Sequence, residues 1–141
     1  YTYLAHLEPE EEGGFIVSFP DVPEAITQGE DRADALSSAA EALGLALRGY
    51  LAMGRPLPAP VAKGNGLVPV SVDATTAMKL AVVEAFKASG KSKAELARLL
   101  GKGETEAYRI LDPDHATKPA ALEQALAVLG KRVVVSILDA A

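Results

Sequence analysis

The chain has 141 residues, 49% hydrophobic and 23% charged, with no Cys and no Trp. Its length suits one domain or two very small ones, and its composition is that of a soluble globular protein rather than a disordered one. The lack of cysteine excludes disulfides, thiolate catalysis and zinc–cysteine sites, and no run reaches the roughly 18 apolar residues a membrane span needs.

The formal net charge of −5 is unevenly spread. Residues 1–90 carry 6 basic and 12 acidic side chains; residues 91–141 carry 8 and 7. An acidic front and a near-neutral back suggest different partners. The back cannot hold nucleic acid on charge alone, so geometry and dimer symmetry must contribute if it binds DNA. With four Tyr and three Phe, the core must come mainly from Ala, Leu and Val. Each half would be marginal alone, which makes oligomerisation an expectation. The chain opens at Tyr1 rather than Met, so a few residues are expected ahead of it. No signal peptide is visible, and the cytoplasm is the expected compartment.

In chain order, Tyr1, Tyr3, Ala5 and Leu7 alternate, as do Phe15, Val17 and Phe19, with Glu-Pro-Glu-Glu-Gly-Gly between the two runs. That predicts an antiparallel hairpin. Pro20 ends the second strand, Asp21 and Pro23 suit a tight corner, and Glu24–Gly29 returns as a third strand. Asp31 is the expected N-cap of a helix, with Asp34 three residues on. Leu36, Ala39, Ala40, Leu43, Leu47 and Tyr50 recur at helical spacing up to Gly49–Gly54. Arg55–Pro60 cannot continue it, and a Pro, Gly and Asn-rich linker follows. Leu67–Val72 reads as a fourth strand, at an edge or carrying a bulge because of Pro69. Asp73 caps a second helix over 74–89, with a stripe of Ala77, Leu80, Ala81 and Phe86, joined by Val82, and Gly90 stops it.

The remainder changes character. Ser92 and Glu95 match a capping box, ahead of a short helix with the stripe Leu96, Leu99 and Leu100. Gly101-Lys102-Gly103 is a turn. Glu104–Leu111 is a second short helix, with Ala107, Ile110 and Leu111 inward. A polar loop and a helix over Ala120–Gly130 follow, and Lys131–Leu138 reads as a closing strand. The fold class is therefore α+β: a β-β-β-α-β domain over 1–72 and an all-α domain with a C-terminal strand over 73–141.

Two short helices around a glycine turn describe a helix-turn-helix, whose second helix lies in a DNA major groove. The outward set of that helix is Glu104, Thr105, Tyr108 and Arg109, the expected base-facing residues. Arg109 suits a bidentate pair to guanine, and Glu104 suits cytosine N4. Ser92, Lys93, Lys102 and Lys118 are the expected phosphate-facing residues, which position without reading sequence. The alternative for each is an ordinary solvated residue in a small bundle. His115 lies in a polar loop with no catalytic partner at readable spacing, and His6 points outward from its strand. No catalytic residue, cofactor site or metal site is predicted. A nuclease would need clustered carboxylates holding metal, and Glu8, Asp21, Asp31 and Asp34 do not project as a set.

The segment GGFIVSFPDVPEAITQGEDRADALSSAAEAL resembles the signature of HicB-family antitoxins, with the Phe-Pro-Asp-Val-Pro corner and the Thr-Gln-Gly before the helix as its specific elements. LARLLGKGETEAYRILDPDHATKPAALEQALAVLGKRVVVSI resembles the helix-turn-helix tail of the subgroup related to phage repressors. The resemblance implies a front domain with a partial ribonuclease H-like fold and no nuclease activity, which neutralises a small HicA-like ribonuclease toxin and keeps it from mRNA. It implies a tail that binds operator DNA and represses the shared operon, as a dimer or tetramer. Phage-repressor relatives often carry Gln where this chain has Glu104 and Thr105, and Lys102-Gly103 replaces a more usual small polar pair. Phe19, Pro20, Asp21, Val22 and Pro23 are then a toxin interface or, as the residues themselves suggest, a structural corner. The rival reading is a stand-alone repressor whose front domain senses a ligand or mediates oligomerisation.

Overall fold

The computed structural model describes residues 1–139, which fall into two compact units, Tyr1–Ala77 and a second from Met78 onward. The front unit contains β1 (Thr2–Pro9), β2 (Phe15–Ser18), β3 (Ile26–Gly29), α1 (Arg32–Ala52) and β4 (Val68–Ser71). The division falls inside α2 (Ala74–Ser89), which is followed by α3 (Lys93–Leu100), α4 (Glu104–Leu111) and α5 (Pro119–Val128).

The strands form one antiparallel sheet in the order β3-β2-β1-β4. Register is set by alternation: Tyr3, Ala5, Val17 and Val70 are buried, with Tyr3 opposite Val70, while His6 lies opposite Ser18 and is exposed. β4 is an edge strand, so Pro69, which has no N–H to give, is tolerated there. α1 packs against β2, β3 and β4 through Ala35, Ala39, Leu43, Gly44, Leu47 and Tyr50. The predicted Leu36 and Ala40 are only half-buried, and Ala35 takes the inner position.

Asp31 caps α1 by accepting from Asp34 N–H at 2.8 Å. The reciprocal bond differs from a capping box: Asp34 Oδ2 accepts from Glu30 N–H at 2.9 Å, one residue earlier. Gly29 is required just before this cap. A Cβ there would lie 2.3 Å from Ala35 N, because the first turn of α1 folds back onto the end of β3. The linker after α1 is not loose. Tyr3 donates its hydroxyl to Pro58 O at 2.6 Å, and Ala62 N–H donates to Asp21 Oδ2 at 2.8 Å.

The second unit is helical. Its core is Val82, Ala85, Leu96, Ile110, Leu111, Leu122, Ala125 and Leu126. Two expectations fail here. Leu99 is 49% exposed, and Ala97 is buried in its place. Lys131–Leu138 forms no strand among the described residues, and Val134, Val135, Ile137 and Leu138 are each at least 69% exposed. A strand needs a ladder for its N–H and C=O groups. Among the described residues this segment has no such ladder.

Candidate nucleic-acid interface

The two short helices of the second unit are shaped by their ends. Ser92 Oγ accepts from Glu95 N–H at 3.1 Å, and Glu95 Oε1 accepts from Ser92 N–H at 3.2 Å, so the capping box is complete. These bonds hold the Glu95 carboxyl below its usual range. They also engage the Ser92 hydroxyl, expected to face phosphate, with backbone. Gly101 ends α3 in the left-handed region at φ 66°, where a side chain would be strained. Lys102 N–H then reaches back to Ala97 O at 2.9 Å, and Gly103, the next residue, is the N-cap of α4.

α4 buries Ala107, Ile110 and Leu111 and exposes Glu104, Thr105, Glu106, Tyr108 and Arg109. The structure therefore places all four residues expected to face bases on the surface. Lys93 Nζ lies 4.6 Å from the centre of the Tyr108 ring, a cation–π contact that brings the start of α3 to the face of α4. Lys102, in the turn before α4, pairs with Glu106 in its first turn at 3.5 Å. An open cleft of about 210 Å³ is lined by Lys102, Glu106, Arg109, His115, Thr117 and Lys118, among others. Arg109 thus shares a concavity with two of the expected phosphate-facing lysines and with His115. Lys118 is the N-cap of α5 and makes no side-chain cap bond. Cations gather where a helix begins, and both features favour an anion.

Behind this face lies a residue the periodicity reading left out. Lys79, in α2, is 4% exposed, and its Nζ donates to Arg109 O at 3.1 Å, Ile110 O at 2.8 Å and Thr117 Oγ1 at 2.7 Å. Burial pushes its pKa down to about 8, while the charge of Asp112 acts the other way. A signal was available: Lys79, Val82 and Phe86 fall on one helical face, so the apolar stripe carried a cation.

In the front unit the corner is built inward from Phe19 and Val22, which are 1% and 0% exposed. Two successive turns, Val22 N–H to Phe19 O at 3.1 Å and Ala25 N–H to Val22 O at 3.0 Å, carry the chain from β2 to β3. Asp21 is spent on Ala62, while Pro20 and Pro23 face solvent. Next to the corner, Tyr50 OH donates to Glu24, 2.6 and 2.8 Å from its two oxygens, and the Arg55 guanidinium sits 4.5 Å above the Tyr50 ring. The hydrogen bond lowers the Glu24 pKa and raises that of Tyr50. A separate acidic recess is lined by Glu10, Glu30 and Asp34. Among the described residues, no group of three His, Asp or Glu side chains is arranged to hold a metal ion, and no helix is long and apolar enough to cross a membrane.

Residues 2–81 match the family described as the HicB-like antitoxin of bacterial toxin–antitoxin systems. The chain is 40% identical over 137 residues to Antitoxin HicB 1 of Photorhabdus laumondii, covering 96% of this chain and 86% of that protein. It is 38% identical over 133 residues to Antitoxin HicB of Escherichia coli K12, covering 93% and 95%. With Antitoxin HicB of Pseudomonas fluorescens it shares 33% identity over 138 residues, covering 97% and 92%. The chain belongs to the HicB-like antitoxin family. HicB-family membership makes it a regulatory protein rather than an enzyme. The family match ends at residue 81, whereas the likeness to whole antitoxins runs on through α3, α4 and α5.

Proposed function

We propose that the chain neutralises a small HicA-like, mRNA-degrading toxin through residues 1–72 and represses its own operon through residues 73–141, acting in the cytoplasm as a dimer or tetramer. The observation that carries the regulatory half is the outward face of α4. Glu104, Thr105, Tyr108 and Arg109 are exposed together, with Lys93 against Tyr108 and a cleft holding Lys102, Arg109 and Lys118 alongside. On this reading α3 and α4 are a helix-turn-helix, α4 enters the major groove, and the lysines meet backbone phosphates. Charge supports the toxin half: residues 1–77 carry 11 acidic and 4 basic side chains, a complement to a basic RNA-degrading protein. The β-β-β-α-β order suits a ribonuclease H-like scaffold used without its chemistry. Self-association has a candidate seam in Lys131–Leu138, whose bare apolar side chains and unladdered backbone would be satisfied by a symmetry mate.

The test is co-expression with the small protein encoded beside it, an RNA-cleavage assay with and without this chain, and binding to the DNA upstream of the pair. Co-purification and inhibition of cleavage are expected. Arg109→Ala should weaken specific DNA binding by about 1–3 kcal/mol while leaving toxin inhibition intact. Specific DNA binding with no capture of the neighbour would instead identify a stand-alone repressor.

A further inference from the structure

Lys79 is a charged side chain with 4% of its surface exposed, set beside an otherwise aliphatic core. Burying an ammonium is costly unless each of its protons finds an acceptor. All three are matched here, by Arg109 O, Ile110 O and Thr117 Oγ1. The two carbonyls belong to the last turn of α4, where carbonyls carry partial negative charge, and Arg109 O also accepts from Asp112 N–H at 3.3 Å. Thr117 lies just before Lys118, the N-cap of α5. One ammonium thus joins α2, the end of α4 and the 112–118 loop.

We propose that Lys79 is a positioning residue for DNA recognition: its protonated ammonium fixes the end of α4 against the 112–118 loop, and so sets the spacing of Arg109 and Lys118 presented to a duplex. This rests on the reading of α4 as the DNA-facing helix. The two cations that Lys79 aligns line one cleft, whose walls do not include Lys79 itself.

A proton dependence follows. The ammonium has three donors for three acceptors. The neutral amine has two donors and a lone pair: its bonds to the two carbonyls lose their charge, and the Thr117 contact survives only if the Thr117 hydroxyl gives up His115 O and turns to donate to Nζ. The pKa of about 8 places that loss in an accessible range, with Asp112 as the charge acting on Lys79. Of the side chains on the adjoining elements, Glu106, Arg109, His115 and Lys118 line the cleft, while Glu104 and Asp114 are exposed outside it. DNA affinity should therefore fall as pH rises through about 8. Stability should move the opposite way. An unfolded lysine keeps its proton to about pH 10.4, so between the two pKa values the native state binds fewer protons and the Lys79 contribution to stability rises with pH. Alkaline unfolding would weaken both together.

The experiment uses the full chain and a duplex carrying the DNA immediately upstream of its own coding frame. Affinity is measured at constant salt from about pH 7 to about pH 9.5, for wild type, K79R and K79M. Backbone amide chemical shifts of residues 109–117 are followed without DNA over the same range. Wild type should lose about tenfold in affinity across the range, as expected when the bonds holding the α4 end lose their charged donor. Its 109–117 shifts should titrate near pH 8. K79R, which stays charged, should hold a flat profile, and K79M should be flat and weak throughout. Tight wild-type binding with the same affinity at both ends of the range overturns the proposal. If wild type binds no DNA at any pH, the reading of α4 fails instead. In that case the shift titration alone decides whether Lys79 fixes the α4 end, and shifts of 109–117 that do not move would overturn that too. The wild-type pH series is sufficient if a variant does not fold.

Discussion

In the front unit the buried set is Tyr3, Ala5, Val17, Phe19, Val22 and the inner stripe of α1, and irregular segments are tied to it by single bonds from Tyr3, Asp21 and Tyr50. In the tail the buried set is Leu, Ile, Val and Ala on helices, and among the described residues its one buried charge is Lys79. The front gains its shape from close backbone approach, as where α1 touches Gly29, and from a corner with two turns in the seven residues Phe19–Ala25. The tail gains its shape from side-chain volume and one ammonium. The lesson is that the two units should fail in different ways. The tail should be sensitive to lost volume and lost protons, and the front to added atoms and lost tethers.

The largest expected effect is in the tail. Leu122 is fully buried in the helical core, and Leu122→Ala should cost about 2–5 kcal/mol. Hydrogen exchange should show α3 to α5 losing protection while β1 and β2 keep theirs, since the tail core draws its members from residues 78–133. Equal loss in both units would break the contrast. Next is Gly29→Ala, which puts a methyl group 2.3 Å from Ala35 N; about 1–3 kcal/mol of destabilisation is expected, read by thermal denaturation. A neutral result would mean that α1 can lift off the end of β3, contrary to the packing described. The smallest effect, and the one that sharpens the comparison most, is pH-dependent. The Glu24 pKa is lowered by the Tyr50 hydroxyl, so its contribution is full above the ordinary carboxylate value and is lost as pH falls through the lowered one. Tyr50→Phe should flatten that part of the acid limb in the front unit. An unchanged acid profile would remove the tether from the account.

Much of this was legible in the chain. Alternation around Tyr3 and Val17 gave the hairpin, Pro69 marked an edge strand, and Ser92 with Glu95 gave the start of α3, because each of these is a local rule with a local cause. The parts that were missed depended on distant partners. Asp21 looked like a turn former, and its bond to Ala62 joins residues 41 apart. Leu99 looked like core because helical spacing alone cannot say how wide the covered face of an eight-residue helix is. Val133 to Leu138 have strand composition but no ladder, and composition does not supply a partner. At the candidate site the exposure of Glu104, Thr105, Tyr108 and Arg109 could be read from the burial of Ala107, Ile110 and Leu111. The grouping of Arg109 with His115 and Lys118 could not, since it depends on how the loop after α4 turns.

The linker between α1 and β4 is held at Pro58 and Ala62, and from Lys63 to Gly66 every residue is exposed. An insertion between Pro58 and Ala62 would pull on both tethers, whereas Lys63–Gly66 lies in the exposed span between Ala62 and β4. A fluorescent reporter or affinity handle grafted at Gly64 or Asn65 should therefore leave the sheet intact, and this gives a place to label the chain without touching the residues of the acidic recess or of α4.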